Sequence, residues 1–122
     1  GSSMGGLISW YAVTEYPRIF GGAICMSTHW PGAMPFEGNP LREAYFSYLE
    51  SKLPSLETHK FYFDYGDKTL DALYPPFATR VDAVFKEAGF TEDNFKNMFF
   101  KGTDHSEASW QKRLHIPLKF TL

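Results

Sequence analysis

Sulfhydryl chemistry is nearly absent from this 122-residue sequence, whose one cysteine, Cys25, sits in the apolar run Gly22-Ala23-Ile24-Cys25-Met26. An internal disulfide and a multi-cysteine metal site are both excluded, and Cys25 reads as a buried core thiol. His29, His59 and His115 share no metal-ligand spacing, so no metal is expected and these three read as structural or solvated. Basic excess is missing too. Twelve Lys and Arg face fourteen Asp and Glu, for a formal net charge of −2, and no Lys/Arg cluster interleaves with aromatics. Nucleic acid is therefore not an expected partner. No apolar run approaches the length of a membrane span, so no membrane association is expected. Repeats, low-complexity segments and internal domain boundaries are also lacking. What remains is one domain's worth of chain, small for a catalytic α/β enzyme. Its 43% hydrophobic and 18% aromatic content can fill a single core.

Short apolar runs alternate with helical periodicity. The spacing predicts a helix from Gly5 to about Tyr16, ended by Pro17, which disfavours helical geometry in the residue before it. Phe20 to Met26 is short, apolar and glycine-punctuated, as a fully buried strand should be. A long Gly- and Pro-rich connection, Ser27 to Pro40, carries His29, Trp30, Met34 and Phe36. Leu41 to Leu53 reads as a helix with Leu41, Ala44, Tyr45, Tyr48 and Leu49 on one face, stopped by Pro54. Lys60 to Tyr65 is a strand aromatic on both faces, closed by Gly66. Pro76 to Ala88 is the clearest helix, with Gly89 placed as its C-cap glycine. Asn97 to Phe100 completes three strands, and Glu107 to Leu114 is a last short helix before Pro117. Such alternation predicts an α/β fold of three parallel strands.

The chemistry begins at Gly1-Ser2-Ser3-Met4-Gly5-Gly6, which contains Gly-x-Ser-x-Gly, the pattern of a serine on a sharp strand-to-helix turn. Alone the pattern is weak; a cloning remnant ahead of Met4 would also read Gly-Ser-Ser. The rest of the chain adds to it. In a parallel α/β sheet the reactive groups collect at the carboxyl ends of the strands. Asp67 and Asp71 follow the second strand, and His105 follows the third. The order Ser, Asp, His places each on a separate loop at one sheet edge. Imidazole can take the serine proton, and a carboxylate fixes the tautomer and stabilises the imidazolium. The Met4 N–H, next after the serine, would supply an oxyanion donor. Asp67 and Asp71 both fit the loop position of the acid.

These residues resemble a family. Gly-x-Ser-Met-Gly-Gly, Phe63-Asp64-Tyr65-Gly66 with Leu70-Asp71-Ala72-Leu73-Tyr74, and Asp104-His105-Ser106-Glu107 with Trp110 are similar to an esterase family of α/β-hydrolases. That family includes enterochelin esterases, S-formylglutathione hydrolase, feruloyl esterases and the mycolyl-transferring antigens. The resemblance runs over the whole sequence but over only the C-terminal half of such a domain. It implies a partial hydrolase domain, residues 1–122, starting at the nucleophile elbow, with the N-terminal half absent. It further implies a serine esterase without cofactor, acting on a small ester, with Ser3 as nucleophile, His105 as general base and Asp71 as acid. Asp67 stays as the alternative acid.

Other roles are weighed against plainer ones. Asp64, within a strand, is expected to bond a neighbouring loop, and Trp110 to pack the last helix and orient the His105 loop. His29 and Trp30, with Met34 and Phe36, are candidates for a substrate pocket, against the plainer reading that such aromatics cover the core. Lys112-Arg113 reads as a solvated helix face. Acyl transfer by the same triad, and a catalytically silent fragment serving as half of a split hydrolase or as an interaction module, are the competing functions. A bare apolar edge at Phe20 to Met26 would need cover from a missing N-terminal half, a second chain or a homo-oligomer.

Overall fold

The computed structural model describes residues 1–34 and 39–122. Three parallel strands form one sheet in the order β1 (Gly22–Met26), β2 (Lys60–Tyr65), β3 (Phe95–Phe99). Helices α1 (Met4–Glu15), α2 (Leu41–Lys52), α3 (Pro75–Glu87), α4 (Glu107–Arg113) and α5 (His115–Thr121) surround it, with a 3₁₀ turn at Thr69–Leu73. Met26 pairs with Asp64 and Asp64 with Met98, so the carboxyl ends of all three strands lie level.

Alternation along β2 sorts the layers. Phe61 and Phe63 point to one face, where they join Trp10 and Val13 of α1, Phe46 and Leu49 of α2, and Phe77, Val81 and Phe85 of α3. Burying each of these side chains contributes roughly 1.5–3 kcal/mol, which makes this aromatic layer the main source of cohesion. On the other face Tyr62 meets Phe120 of α5, and Asp64 meets Arg113 of α4. In α3 the residues Phe77, Val81 and Phe85 recur at four-residue spacing, and Pro75-Pro76 supply a preset φ in the first turn.

Four local expectations are corrected. Phe20 lies outside β1 and is exposed; its N–H and that of Ile19 both donate to the Tyr16 carbonyl, and the ladder starts only at Gly22 opposite Lys60. β3 starts at Phe95 instead of Asn97, because Phe95 is the register partner of Phe61. Pro117 does not end the helical segment but lies in the first turn of α5, where a missing N–H leaves no hydrogen bond broken. Arg113 is buried instead of solvated, its guanidinium drawn inward by the Asp64 carboxylate.

Before β1 in the chain, Ser2 forms a parallel bridge with Met26. Met26 donates to the Gly1 carbonyl at 2.9 Å, and Ser3 N–H donates to the Met26 carbonyl at 2.9 Å. Residues 1–3 therefore run beside the end of β1 and turn directly into α1.

Candidate active site

The turn at Ser3 is tight enough to dictate its own sequence. Ser3 sits at φ 53°, ψ −121°, a backbone region L-residues avoid. Its carbonyl accepts from the N–H groups of Gly6, Leu7 and His29, which fixes the turn from both sides. A Cβ at Gly1 would stand 2.5 Å from the Gly5 carbonyl oxygen, which keeps position 1 glycine, whereas a Cβ at Gly5 would meet open space.

Ser3 Oγ lies 2.8 Å from His105 Nε2, and His105 Nδ1 lies 2.7 Å from Asp71 Oδ1. The imidazole thus stands between a hydroxyl and a carboxylate contributed by residues 102 and 34 positions before it, respectively. Asp71 is fully buried, while the His105 side chain is 9% exposed, enough to open one edge to solvent. Trp110 meets the His105 ring edge-on at 5.1 Å and Tyr74 at 6.0 Å, and the His105 N–H donates to Thr69 Oγ1 at 2.9 Å. Ser106 caps α4 by accepting from Ser109 N–H, and Asp104 accepts from the hydroxyls of both serines. Those two hydroxyls hold the Asp104 carboxyl below its ordinary value. The His105 loop is fixed at both ends.

Asp67 stands elsewhere. Its Oδ1 accepts from Gly102 N–H at 2.8 Å, and its own N–H donates to the Thr103 carbonyl, so it ties two loops together while Asp71 meets His105. Asp71 Oδ2 accepts from Gly66 N–H at 2.6 Å and Ser27 Oγ at 2.6 Å. A Cβ at Gly66 would stand 2.2 Å from the Thr103 carbonyl oxygen, which keeps that position glycine. Met4, the first residue of α1, carries one of the N–H groups a helix start leaves without an intrahelical partner.

The pocket residues fall differently. Trp30 is 4% exposed and stacks on Phe63 at 5.6 Å and Phe77 at 6.2 Å, in the core. His29 braces the serine turn through its N–H, with Nδ1 3.4 Å from the Tyr74 hydroxyl. Met34 is exposed, and Phe36 lies outside the described residues. His59 is buried and bonds the Pro17 carbonyl at 2.8 Å. Cys25 is fully buried, and desolvation pushes its thiol up to about 12. Among the described residues, no group of three or more His, Cys, Asp or Glu side chains is placed to hold a metal ion. No helix among them is long and apolar enough to cross a membrane.

No family model matches the sequence, and no curated protein does. A solved structure does match in three dimensions: the enterobactin esterase FES from Shigella flexneri, crystallised in the presence of enterobactin. The match covers 93% of this chain and 27% of that one, at a TM-score of 0.56 and 20% identity. The fold is that of an α/β-hydrolase. The chain spans about a quarter of the length of the esterase it matches. Within an α/β-hydrolase sheet the carboxyl ends of the strands carry the loops, and Ser3, Asp71 and His105 all lie at that end here.

Ser27 carries no sequence signal, and Arg113 only an indirect one. Ser27 follows β1 at φ 43°, fully buried, and contacts Asp71. Arg113 closes α4 and contacts Ser27 and Asp64. A lone aspartate inside an aromatic strand was the one available hint that a buried cation stood opposite.

Proposed function

We propose that this chain carries the catalytic residues of a serine esterase, a hydrolase of small carboxylic esters working through an acyl-enzyme. The observation that carries the reading is the unbroken hydrogen-bonded line from Ser3 Oγ through His105 to Asp71, at 2.8 and 2.7 Å. Ser3, on its strained turn, is the nucleophile at an elbow. As its Oγ attacks the ester carbonyl, His105 Nε2 takes the hydroxyl proton, and Asp71 holds Nδ1–H and stabilises the imidazolium. The carbonyl oxygen becomes an oxyanion, and the Met4 N–H is one donor to it; the start of α1 also favours negative charge there. His105 returns the proton to the departing alkoxide. A water then loses a proton to the same nitrogen as its oxygen bonds to the acyl carbon; the bond from that carbon to Ser3 Oγ breaks, His105 returns the proton to Oγ, and the acid leaves. No cofactor takes part. The matched fold supports the hydrolase reading, and the choice of an ester substrate follows the esterase that the chain is similar to.

The test is covalent. An active-site-directed aryl phosphonate is expected to add to Ser3, as read by peptide mass, with loss of labelling in Ser3→Ala and strong slowing in His105→Gln. Small aryl ester turnover, where the chain supports it, is expected to fall to background in Ser3→Ala with the fold intact. Labelling that persists in Ser3→Ala sinks the reading.

A further inference from the structure

The acid side of the site is built more elaborately than one carboxylate requires. Asp71 Oδ1 faces His105, while Oδ2 accepts both Gly66 N–H and the Ser27 hydroxyl at 2.6 Å each. Ser27 Oγ in turn lies 2.9 Å from Arg113 Nη2. A guanidinium has only donors, so the serine oxygen must accept from Arg113 and aim its own proton at Asp71. The direction of that hydroxyl is fixed by an arginine.

The arginine is itself committed. Arg113 Nε donates to Asp64 Oδ2 at 3.0 Å and Nη2 to Asp64 Oδ1 at 2.8 Å, a two-pronged pair, with Nη1 3.2 Å from Thr103 Oγ1. Asp64 also accepts from Ser27 N–H at 3.1 Å and the Tyr62 hydroxyl at 3.0 Å. Burial pushes the Asp64 carboxyl up, and Arg113, Ser27 and Tyr62 pull it back toward the ionised form. Asp64, Ser27, Asp71 and Arg113 are each 3% exposed or less. Were Arg113 in direct contact with Asp71, it would compete with His105 for the carboxylate. The interposed serine passes on a hydrogen bond, and Asp64 absorbs the positive charge.

We infer that Ser27, oriented by the Arg113–Asp64 pair, is a positioning residue that locks the rotation of the Asp71 carboxylate so that Oδ1 stays on His105. The inference rests on the triad reading above, and adds a three-residue support, Ser27, Arg113 and Asp64, that joins the ends of β1 and β2 to α4. The carboxylate is held by one oxygen so that the other is free to act.

Its test uses the full 122-residue chain with Ser27→Ala and Ser27→Gly, and Ser3→Ala as the control for the triad reading. Proton NMR reads the His105 Nδ1–H directly, assigned by its loss in His105→Gln, and needs no turnover. Both Ser27 variants are expected to move that resonance upfield and speed its exchange with water. With ester turnover, kcat is expected to fall about 10- to 100-fold, the effect of losing a hydrogen bond to a charged group, with KM within about twofold. Ser27→Gly has no Cβ to strain at this positive φ, so it carries the test if the alanine variant folds poorly. An unchanged Nδ1–H signal and unchanged kcat in a folded Ser27 variant overturn the inference while leaving the triad standing. If Ser3→Ala keeps its turnover, the triad reading falls instead, and the NMR signal still decides whether Ser27 positions Asp71.

Discussion

Replacing Ser3 by glycine should make the chain more stable than replacing it by alanine. Both changes delete the same hydroxyl and the same 2.8 Å contact with His105, so that loss cancels between them. Both keep the backbone bonds that pin the turn, from Ser3 N–H to Met26 and from Gly6, Leu7 and His29 to the Ser3 carbonyl. What differs is the backbone. At φ 53°, ψ −121° an L-residue carries strain of about 1–3 kcal/mol that glycine does not, since its mirror-image conformations are equally open. Against this, glycine loses roughly 0.4–1 kcal/mol more chain entropy on folding. Taking the middle of each range leaves Ser3→Gly ahead by about 1.3 kcal/mol. Urea unfolding followed by the fluorescence of the buried Trp10 and Trp30 reads this directly, provided the slopes agree. A glycine variant no more stable than the alanine variant, at equal slope, would refute the claim that the turn stores strain.

Two further expectations concern other parts of the fold. Burial raises the Asp82 carboxyl above its ordinary value, against the opposing pull of Asn97 and Lys86, so the folded state binds that proton more tightly than the unfolded one. The stability this contributes is present at low pH and lost as pH rises through the raised value; Asp82→Asn should therefore be more stable than the parent near neutrality and vary less across the mildly acidic range, and no gain there counts against it. At β1 the outer edge from Gly22 to Ile24 borders a hollow of about 770 Å³ lined by Ile8, Ala12, Val13, Phe20 and Leu122. We propose that a second copy of this chain covers it, because an open strand edge beside an apolar hollow offers a template for pairing; sedimentation of this chain alone should show self-association, and a clean, folded monomer refutes the proposal.

Much of this fold is legible in the sequence, for local reasons. β2 spans Lys60–Tyr65 as the aromatic run predicts, because glycine closes it and both of its faces are buried. Helices α1, α2 and α3 end two residues before Pro17, Pro54 and Gly89, whereas Pro117 lies inside α5, a helix that no local signal announces. Where the structure departs from the local pattern, a distant partner decides the outcome. Phe20 belongs to an apolar run, yet the sheet does not reach it. Phe95 is in β3 because Phe61 stands opposite, which no neighbour in sequence announces. Arg113 follows Lys112 on a polar helix, and only Asp64, 49 residues away, turns it inward. At the site, Ser3 and His105 sit in local motifs. The choice between Asp67 and Asp71 depended on which loop residue faced the sheet and which faced Gly102, a matter of three dimensions.

The placing of backbone strain gives an argument for function independent of any resemblance. Among the described residues three that are not glycine have positive φ: Ser3, Ser27 and Thr69, at 53°, 43° and 53°. Each bears a hydroxyl, and each hydroxyl oxygen takes part in the same hydrogen-bonded assembly. Ser3 Oγ meets His105 Nε2, Ser27 Oγ meets Asp71 Oδ2, and Thr69 Oγ1 accepts the His105 N–H. Glycine would relieve all three turns. For Thr69 the contrast is sharpest, since a β-branched side chain is the least suited to such a φ. The strain thus falls where hydroxyls meet His105, Asp71 or the loop that carries them. Strain of this kind persists where the surroundings over-determine it, and here what determines it is the placing of one imidazole between a serine and an aspartate.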